Sequence, residues 1–259
     1  MRRSMLFLPG NTPNMLVNGA FLGADAVILD LEDAVAPSEK DAARVLVRNT
    51  IRYMDFRGCE VIVRINAVDS DFWQADLDEI LPQKPDLILL PKSSSAQDVL
   101  AADAYIGQKE AALGFAPNTV RLMPLIETAL GVENAFSIAS ACPRVAARAA
   151  NVDVYDTPFT DVNDDEGIQT DAAYAKALGF TGKASISPRH VEVINRVFSP
   201  TQKEIDYAYE VMDAIRRAKA QGEGAVALYG KMIDAPIVAR AEQTIAAARE
   251  MGLGREDRA

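Results

Sequence analysis

Histidine, cysteine and positive charge are all scarce in this chain, and each scarcity removes a class of function. Histidine occurs once in 259 residues, at His190. That excludes a His-rich metal site and disfavours a Ser-His-Asp triad. Cysteine occurs twice, at Cys59 and Cys142, with neither zinc-ligand spacing nor a disulfide framework. A reducing compartment is expected. Lys and Arg number 27 against 37 Asp and Glu, a net charge of −10. This argues against nucleic acid or an anionic membrane as a generic partner. An anionic substrate would need local Arg, Lys or a metal to reverse the field at its site. Long apolar runs are missing as well. Met5–Leu8, behind basic Arg2 and Arg3, breaks at Pro9-Gly10 and is too short for a signal core. No stretch approaches transmembrane length, and a cytoplasmic protein is expected. No Gly-rich dinucleotide fingerprint follows the first strand, and no phosphate loop ending Gly-Lys-Ser/Thr occurs.

What is present is an ordinary globular composition, 49% hydrophobic and 25% charged, with enough apolar material for a sizeable core. One unit repeats along it: a short buried strand, a loop, a helix. The strands are expected at Ser4–Leu8, within 24–33, and at Glu60–Ile65, Asp86–Leu90 and Val120–Ile126. Helices are expected between them, at Pro37–Tyr53, Trp73–Ile80, from Ser95 onward, and at Leu130–Ala141. This alternation implies parallel strands with crossover helices. After Pro143 the rhythm fails. Ala139–Ala150 is rich in alanine and arginine, and Val152–Tyr155 is the next strand. A helix over Asn163–Leu178, a strand at Lys183–Ile186 and a helix at Pro188–Val197 follow. Five strands precede the break and two follow it.

The polar residues ending successive strands differ in kind, the habit of a (β/α)8 TIM barrel. A doubly wound open sheet is the alternative. A barrel needs eight strands, so one strand–helix unit is absent near residues 145–148. From Ser199-Pro200 the pattern becomes helical, with helices to about Gln221 and over Ile237–Met251. The expected division is therefore a barrel domain, 1–198, and a C-terminal helical extension, 199–259. The extension would close the active site, its own or a neighbouring subunit's.

The chemistry concentrates at strand ends. Ala26–Leu29 runs into Asp30, Glu32 and Asp33, three acids in four residues. Such a cluster at the C-terminal end of a buried strand is costly without a cation, donor or water. It reads as an active-site rim, although any single acid there can cap a helix or pair with a base. Arg64 can hold a carboxylate bidentately, or pair with Asp30 or Glu32. Glu127 is either an oxygen ligand for Mg²⁺ or a cap for the helix at Thr128. Lys92 can bind phosphate or form a Schiff base, and a surface lysine is the safer reading. Asp234, in Met-Ile-Asp-Ala-Pro, caps a helix or serves as a general acid or base. Asp161, Asp164 and Asp165 read as a solvated helix-capping turn.

Several stretches, taken in order, resemble the aldolase/citrate lyase β-subunit family. They are Arg3–Gly10, Asp30–Val35 with Glu39-Lys40-Asp41, Val63–Asn66, Leu90–Lys92 and Ile126–Ala129. Further on come Asp164 with Glu166-Gly167, Gly179–Lys183, and Gly230–Pro236. The resemblance covers nearly the whole chain, and malyl-CoA and citramalyl-CoA lyases are its near relatives. It implies a (β/α)8 barrel, often trimeric, cleaving a carbon–carbon bond in a 3-hydroxy-acyl thioester. The expected substrate is a citryl thioester on an acyl carrier protein or CoA, giving oxaloacetate. A transferase α subunit and a carrier-protein subunit are the implied partners. By the same resemblance Arg64 matches the substrate-carboxylate arginine, and Glu127 matches one of two Mg²⁺ ligands that also contact substrate. Asp33 matches a carboxylate lining the site. Asp234 matches an acid/base aspartate delivered from an adjacent subunit. The second metal ligand is an aspartate of the next strand–loop unit, the one absent here. Either the chain is shortened there or a segment is left out of the sequence.

Overall fold

The computed structural model describes residues 2–146, 153–221 and 226–255. It divides into two compact units, Arg2–Asn195 and Arg196–Ala259. The first contains strands β1 (Ser4–Pro9), β2 (Ala26–Asp30), β3 (Glu60–Arg64), β4 (Leu87–Leu90), β5 (Arg121–Pro124), β6 (Tyr155–Asp156) and β7 (Gly182–Ser185). Between them run helices α1 (Pro13–Asn18), α2 (Lys40–Tyr53), α3 (Trp73–Ile80), α4 (Ala96–Ala112), α5 (Ala129–Glu133), α6 (Ala135–Ala139), α7 (Pro143–Ala146) and α8 (Asp165–Leu178). Helix α9 (Pro188–Phe198) follows β7.

All seven strands pair in parallel, in the order β5-β4-β3-β2-β1-β7-β6. Strand side chains alternate, so each strand feeds two layers. Leu6, Leu8, Val27, Leu29, Val61, Val63, Ile88 and Leu90 pack with Leu16, Val47, Leu77, Val99 and Ile106 of the helices. Met5, Ala26, Ile28, Ile62, Leu89 and Ala184 gather on the other face. That face is concave. Arg2, just before β1, reaches both Glu60 at the start of β3 and Tyr155 of β6. The fold is thus a curled seven-stranded half-barrel with helices outside. The eighth strand of a closed barrel is not among the described residues. The two strands flanking the expected gap, β5 and β6, are the two edges of the sheet. The sequence reading for Ala147–Ala150 and Val152 falls outside the described residues.

Local chemistry explains most boundaries. Ser95 caps α4 in a reciprocal box with Asp98: each accepts from the other's backbone N–H. Gly10 donates to the Asp30 carbonyl at 2.8 Å, and a Cβ there would stand 2.5 Å from that oxygen. The turn after β1 therefore requires glycine. The expected helix over Leu130–Ala141 is instead two short ones, α5 and α6, meeting at Asn134. Asn134 turns its side-chain amide to the Ser94 carbonyl at 2.9 Å, tying the loop after β4 to this segment.

The second unit is not purely helical, contrary to the sequence reading. Between α10 (Gln202–Gln221) and α11 (Ala235–Glu250) lies an antiparallel hairpin, β8 (Val226–Leu228) and β9 (Lys231–Ile233). Its two-residue turn places Tyr229 and Gly230 at φ 52° and 75°, the left-handed pair that matches strand twist. Ile205, Ala208, Tyr209 and Val211 of α10 pack with Ile233, Ala241, Ile245 and Ala248.

Candidate active site

The mouth of the half-barrel is built at the C-terminal ends of β2 to β5. Asp30 and Arg64 are Cα partners at the ends of β2 and β3, so parallel register puts both side chains on the concave face. Arg64 Nε donates to Asp30 Oδ1 at 2.7 Å and Nη2 to Oδ2 at 2.6 Å. The N–H groups of Glu32 and Ala34 also donate to that carboxylate, at 2.9 and 3.3 Å. Phe7 lies under the guanidinium, 4.8 Å from ring centroid to Cζ. Removing either ion would strand a buried charge, at a cost of about 3–5 kcal/mol. Asp30 takes only two of the five guanidinium N–H groups.

The Nη1 end of Arg64 faces Glu32, with Nη1 3.1 Å from Oε2. Lys92 Nζ stands 2.7 Å from Glu32 Oε1 and 3.3 Å from Asp33 Oδ1. The Lys92 backbone N–H donates to Glu127 Oε2 at 2.9 Å. Lys92 holds a left-handed φ of 51°, uncommon for a residue with a side chain and frequent where a site constrains the chain. One residue after β4 thus ties the loop after β2 to the end of β5. Asp33, Lys92 and Glu127 face solvent, whereas Asp30, Glu32 and Arg64 are buried. Glu32 is thus ion-paired at both oxygens, Oε1 with the half-exposed Lys92 and Oε2 with the buried Arg64. Burial holds its carboxyl above the usual glutamate range, against the pull of Lys92 and Arg64.

A buried shelf underlies the turn at residues 31–33. Lys40 Nζ donates to the Leu31 and Glu32 carbonyls at 2.7 and 2.6 Å. Asn66 Nδ2 donates to the Leu31 carbonyl at 3.1 Å and to Asp76 Oδ2 at 2.7 Å. Arg44 Nε donates to Asp76 Oδ1 at 3.0 Å. Burial holds the Lys40 ammonium below its ordinary pKa, against the pull of Asp76, Asp30, Glu32 and Asp33. Sequence reasoning noticed Lys40 only as part of a motif. A lysine opening a helix, against the dipole, was the available signal.

Of the sequence-predicted residues, the structure brings Asp33, Arg64 and Glu127 to one mouth. Thr128, not Glu127, caps α5, accepting from the Gly131 N–H at 3.0 Å. Asp164 caps α8, accepting from Gly167 at 2.8 Å, within the acidic turn that was expected. Asp234 belongs to the second unit. There it is exposed and caps α11, accepting from the Ile237 N–H at 3.1 Å. His190 is buried against Phe159 with no hydrogen bond to its ring among the described residues. Burial pushes the Cys59 thiol up to about 11 and raises that of Cys142, so neither is a ready thiolate. The donor set at the mouth is carboxylate oxygen, which suits a hard cation. No three His, Cys, Asp or Glu side chains converge at ligand spacing among the described residues.

The model of the HpcH/HpaI aldolase/citrate lyase family matches residues 3–147. The chain belongs to that family. It is 36% identical to the citrate lyase subunit beta of Leuconostoc mesenteroides subsp. cremoris, over 95% of this chain and 92% of the relative. It is 32% identical to the L-malyl-CoA/beta-methylmalyl-CoA lyase of Cereibacter sphaeroides, over 93% and 92%. Among solved structures it resembles Mycobacterium tuberculosis CitE in complex with magnesium, acetoacetate and coenzyme A. The TM-score is 0.72 at 28% identity, covering 96% of this chain and 98% of that one. A citrate lyase beta subunit complexed with oxaloacetate and magnesium, from the same organism, gives 0.63 at 27% identity, over 77% and 97%. The Leuconostoc alignment spans 279 positions but uses 95% of this chain, about 246 residues. About thirty positions of that alignment have no counterpart here. The family match ends at residue 147, where the strand rhythm breaks.

Proposed function

We propose that this chain is a Mg²⁺-dependent lyase that cleaves a citryl thioester, on CoA or an acyl carrier protein, to oxaloacetate and an acetyl thioester. The observation that carries the reading is the meeting of Arg64, Glu32, Asp33 and Glu127, from separate strand ends, around Lys92 at one mouth. A guanidinium for a carboxylate and oxygen donors for a hard cation are what this chemistry needs. Support also comes from the family relatives and from the magnesium complexes of the M. tuberculosis proteins.

Glu127 is the protein ligand we assign to the ion. Few acids suffice, because Mg²⁺ favours one or two carboxylates and fills its shell with water and substrate oxygens. When bound, the ion polarises the keto oxygen and offsets charge on the keto-acid product. Arg64 holds a substrate carboxylate through the N–H groups that Asp30 leaves free. Asp33 lines the mouth and sets its charge. As the carbon–carbon bond breaks, the electron pair leaves on the acetyl thioester as an enolate. Asp234 donates a proton to that carbon, delivered from a neighbouring subunit of a trimer, and takes one from the methyl in the reverse direction.

The C-terminal piece, 199–259, is on this reading the cover of the active site. The curled sheet is seven strands of an eight-stranded barrel whose missing unit lies between β5 and β6. The position of the sheet's two edges and the thirty unmatched alignment positions support this. A transferase α subunit and a carrier-protein subunit are the proposed partners, in the cytoplasm. The unmatched positions also favour a second reading. The second metal-binding aspartate falls in that unit, and a chain without it would serve as an inactive scaffold of the same fold.

Coupling oxaloacetate formation from citryl-CoA to NADH oxidation by malate dehydrogenase tests the proposal. Turnover is expected with Mg²⁺ and should vanish with EDTA. Wild-type rates in both Asp234→Asn and Glu127→Gln would refute the assignment.

A further inference from the structure

The reaction needs a base for the substrate hydroxyl, and neither Arg64 nor an exposed Asp33 is built for it. We propose that Glu32 is that base. The assignment rests on the lyase reading above and adds a residue to it.

The geometry begins with the substrate's own bonds. In a citryl thioester the hydroxyl and one carboxylate share a carbon. Whatever stands beside the guanidinium that grips that carboxylate also stands beside the hydroxyl. Glu32 Oε2 is 3.1 Å from Arg64 Nη1, on the end of the guanidinium that Asp30 does not use. Both Glu32 oxygens are buried, and each is held by an ion pair, Oε1 by Lys92 and Oε2 by Arg64. Buried carboxylate oxygens need a partner, so an Oε1 that loses its half-exposed lysine on substrate entry must take another donor. The substrate hydroxyl is such a donor. Lys92, whose side chain is half-exposed and 2.7 Å from Oε1, is the neighbour able to swing aside as substrate enters. From below, Lys40 grips the Glu32 carbonyl and fixes the backbone from which the carboxylate projects.

The charged groups facing Glu32 are Arg64 from β3, Lys92 after β4, Lys40 from α2, and Asp30 and Asp33 beside it in the chain. Burial and Asp33 raise its carboxyl, and Lys92 and Arg64 oppose them. A raised value brings a carboxylate nearer to what a general base needs.

The proton balance is complete. Glu32 takes the hydroxyl proton, and the O–H pair becomes the new carbonyl bond of oxaloacetate. The carbon–carbon pair leaves on the acetyl carbon, which Asp234 protonates. Glu32 returns its proton to water and Asp234 regains one.

The test compares the parent protein with Glu32→Gln, which keeps size and removes basicity. Two activities are read with Mg²⁺: cleavage of citryl-CoA, and exchange of the acetyl-CoA methyl hydrogens with D₂O. The second needs Asp234 but not the hydroxyl base. In Glu32→Gln, kcat for cleavage should fall about 100-fold or more, with KM within about threefold. Methyl exchange should persist. The parent kcat should fall at acid pH, on a limb lying above the ordinary glutamate range, and Glu32→Gln should lack that limb. Cleavage within about threefold of the parent would overturn the proposal, as would equal loss of cleavage and exchange in a folded variant. Should Glu32→Gln not fold, Glu32→Asp decides: a drop in kcat with the acid limb retained supports the base, and an unchanged kcat overturns it. A parent that neither cleaves citryl-CoA nor exchanges the methyl would overturn the lyase reading, and this assignment with it.

Discussion

The concave face of the sheet carries an arginine–carboxylate cluster at each end, and the two are finished differently. At the N-terminal end Arg2 grips both oxygens of Glu60 and donates to the Tyr155 hydroxyl at 2.6 Å. That hydroxyl donates on to Asp153 at 3.2 Å, and Arg121 lies 3.6 Å from Glu60. Burial pushes the Tyr155 phenol up to about 12. Each polar group there has a partner, as a structural plug requires. At the C-terminal end Arg64 and Asp30 are equally well paired, but Glu32 beside them relies for one oxygen on Lys92, whose side chain is half in solvent. Residue types are alike at both ends. What separates plug from site is the last partner: the part-buried Tyr155 completes one network, and the half-exposed Lys92 completes the other.

The first experiments should make the two ends behave differently. Asp234→Asn is expected to show the widest gap between function and fold. Asparagine caps a helix as well as aspartate, so stability should change by less than about 0.5 kcal/mol. Loss of an acid/base group should cut citryl-CoA turnover by about 10²–10⁴. Parallel thermal melts and initial rates would read both. Arg64→Lys keeps the charge opposite Asp30 but loses the fork. We expect kcat/KM to fall about 100-fold, with a small loss in melting temperature.

Lys40→Met should affect both properties. It leaves the Leu31 and Glu32 carbonyls short of a donor, costing about 1–3 kcal/mol. Turnover should fall with it, because the turn bearing Glu32 and Asp33 loosens. Urea unfolding and kcat on the same preparation check this, with Lys40→Arg giving partial rescue. At the plug, Glu60→Gln should cost about 1–3 kcal/mol, a drop of about 2–10 °C in a chain of this size. Turnover per folded molecule should stay unchanged. A Glu60→Gln protein of full stability but low activity would reverse the roles assigned to the two ends.

Much of this was legible in the sequence for local reasons. Ala26–Leu29, Val61–Val63 and Leu87–Leu90 are short apolar runs that end in or near a polar residue, so strand, burial and mouth could be read together. Ser95, Asp164 and Asp234 act as the caps their positions announced. The break after Pro143 was visible as lost rhythm, and the sheet opens at the corresponding edges. Other features were hidden because they depend on distance along the chain. Arg2 meets residues 58 and 153 positions away, and no local pattern encodes that. The hairpin at Tyr229-Gly230 lacks the Asn-Gly signature, so the sequence shows only a break between two helices there. The burial of Glu32 between Arg64 and Lys92 is a property of packing, and only coordinates reveal it.

The central claim is that the open end binds a keto acid and the closed end does not. Titration calorimetry of oxaloacetate with Mg²⁺ into the parent, Arg64→Lys and Glu60→Gln proteins tests it most directly. We predict parent-like affinity in Glu60→Gln and at least tenfold weaker binding in Arg64→Lys. Equal affinity in all three, or equal weakening in both variants, would contradict it.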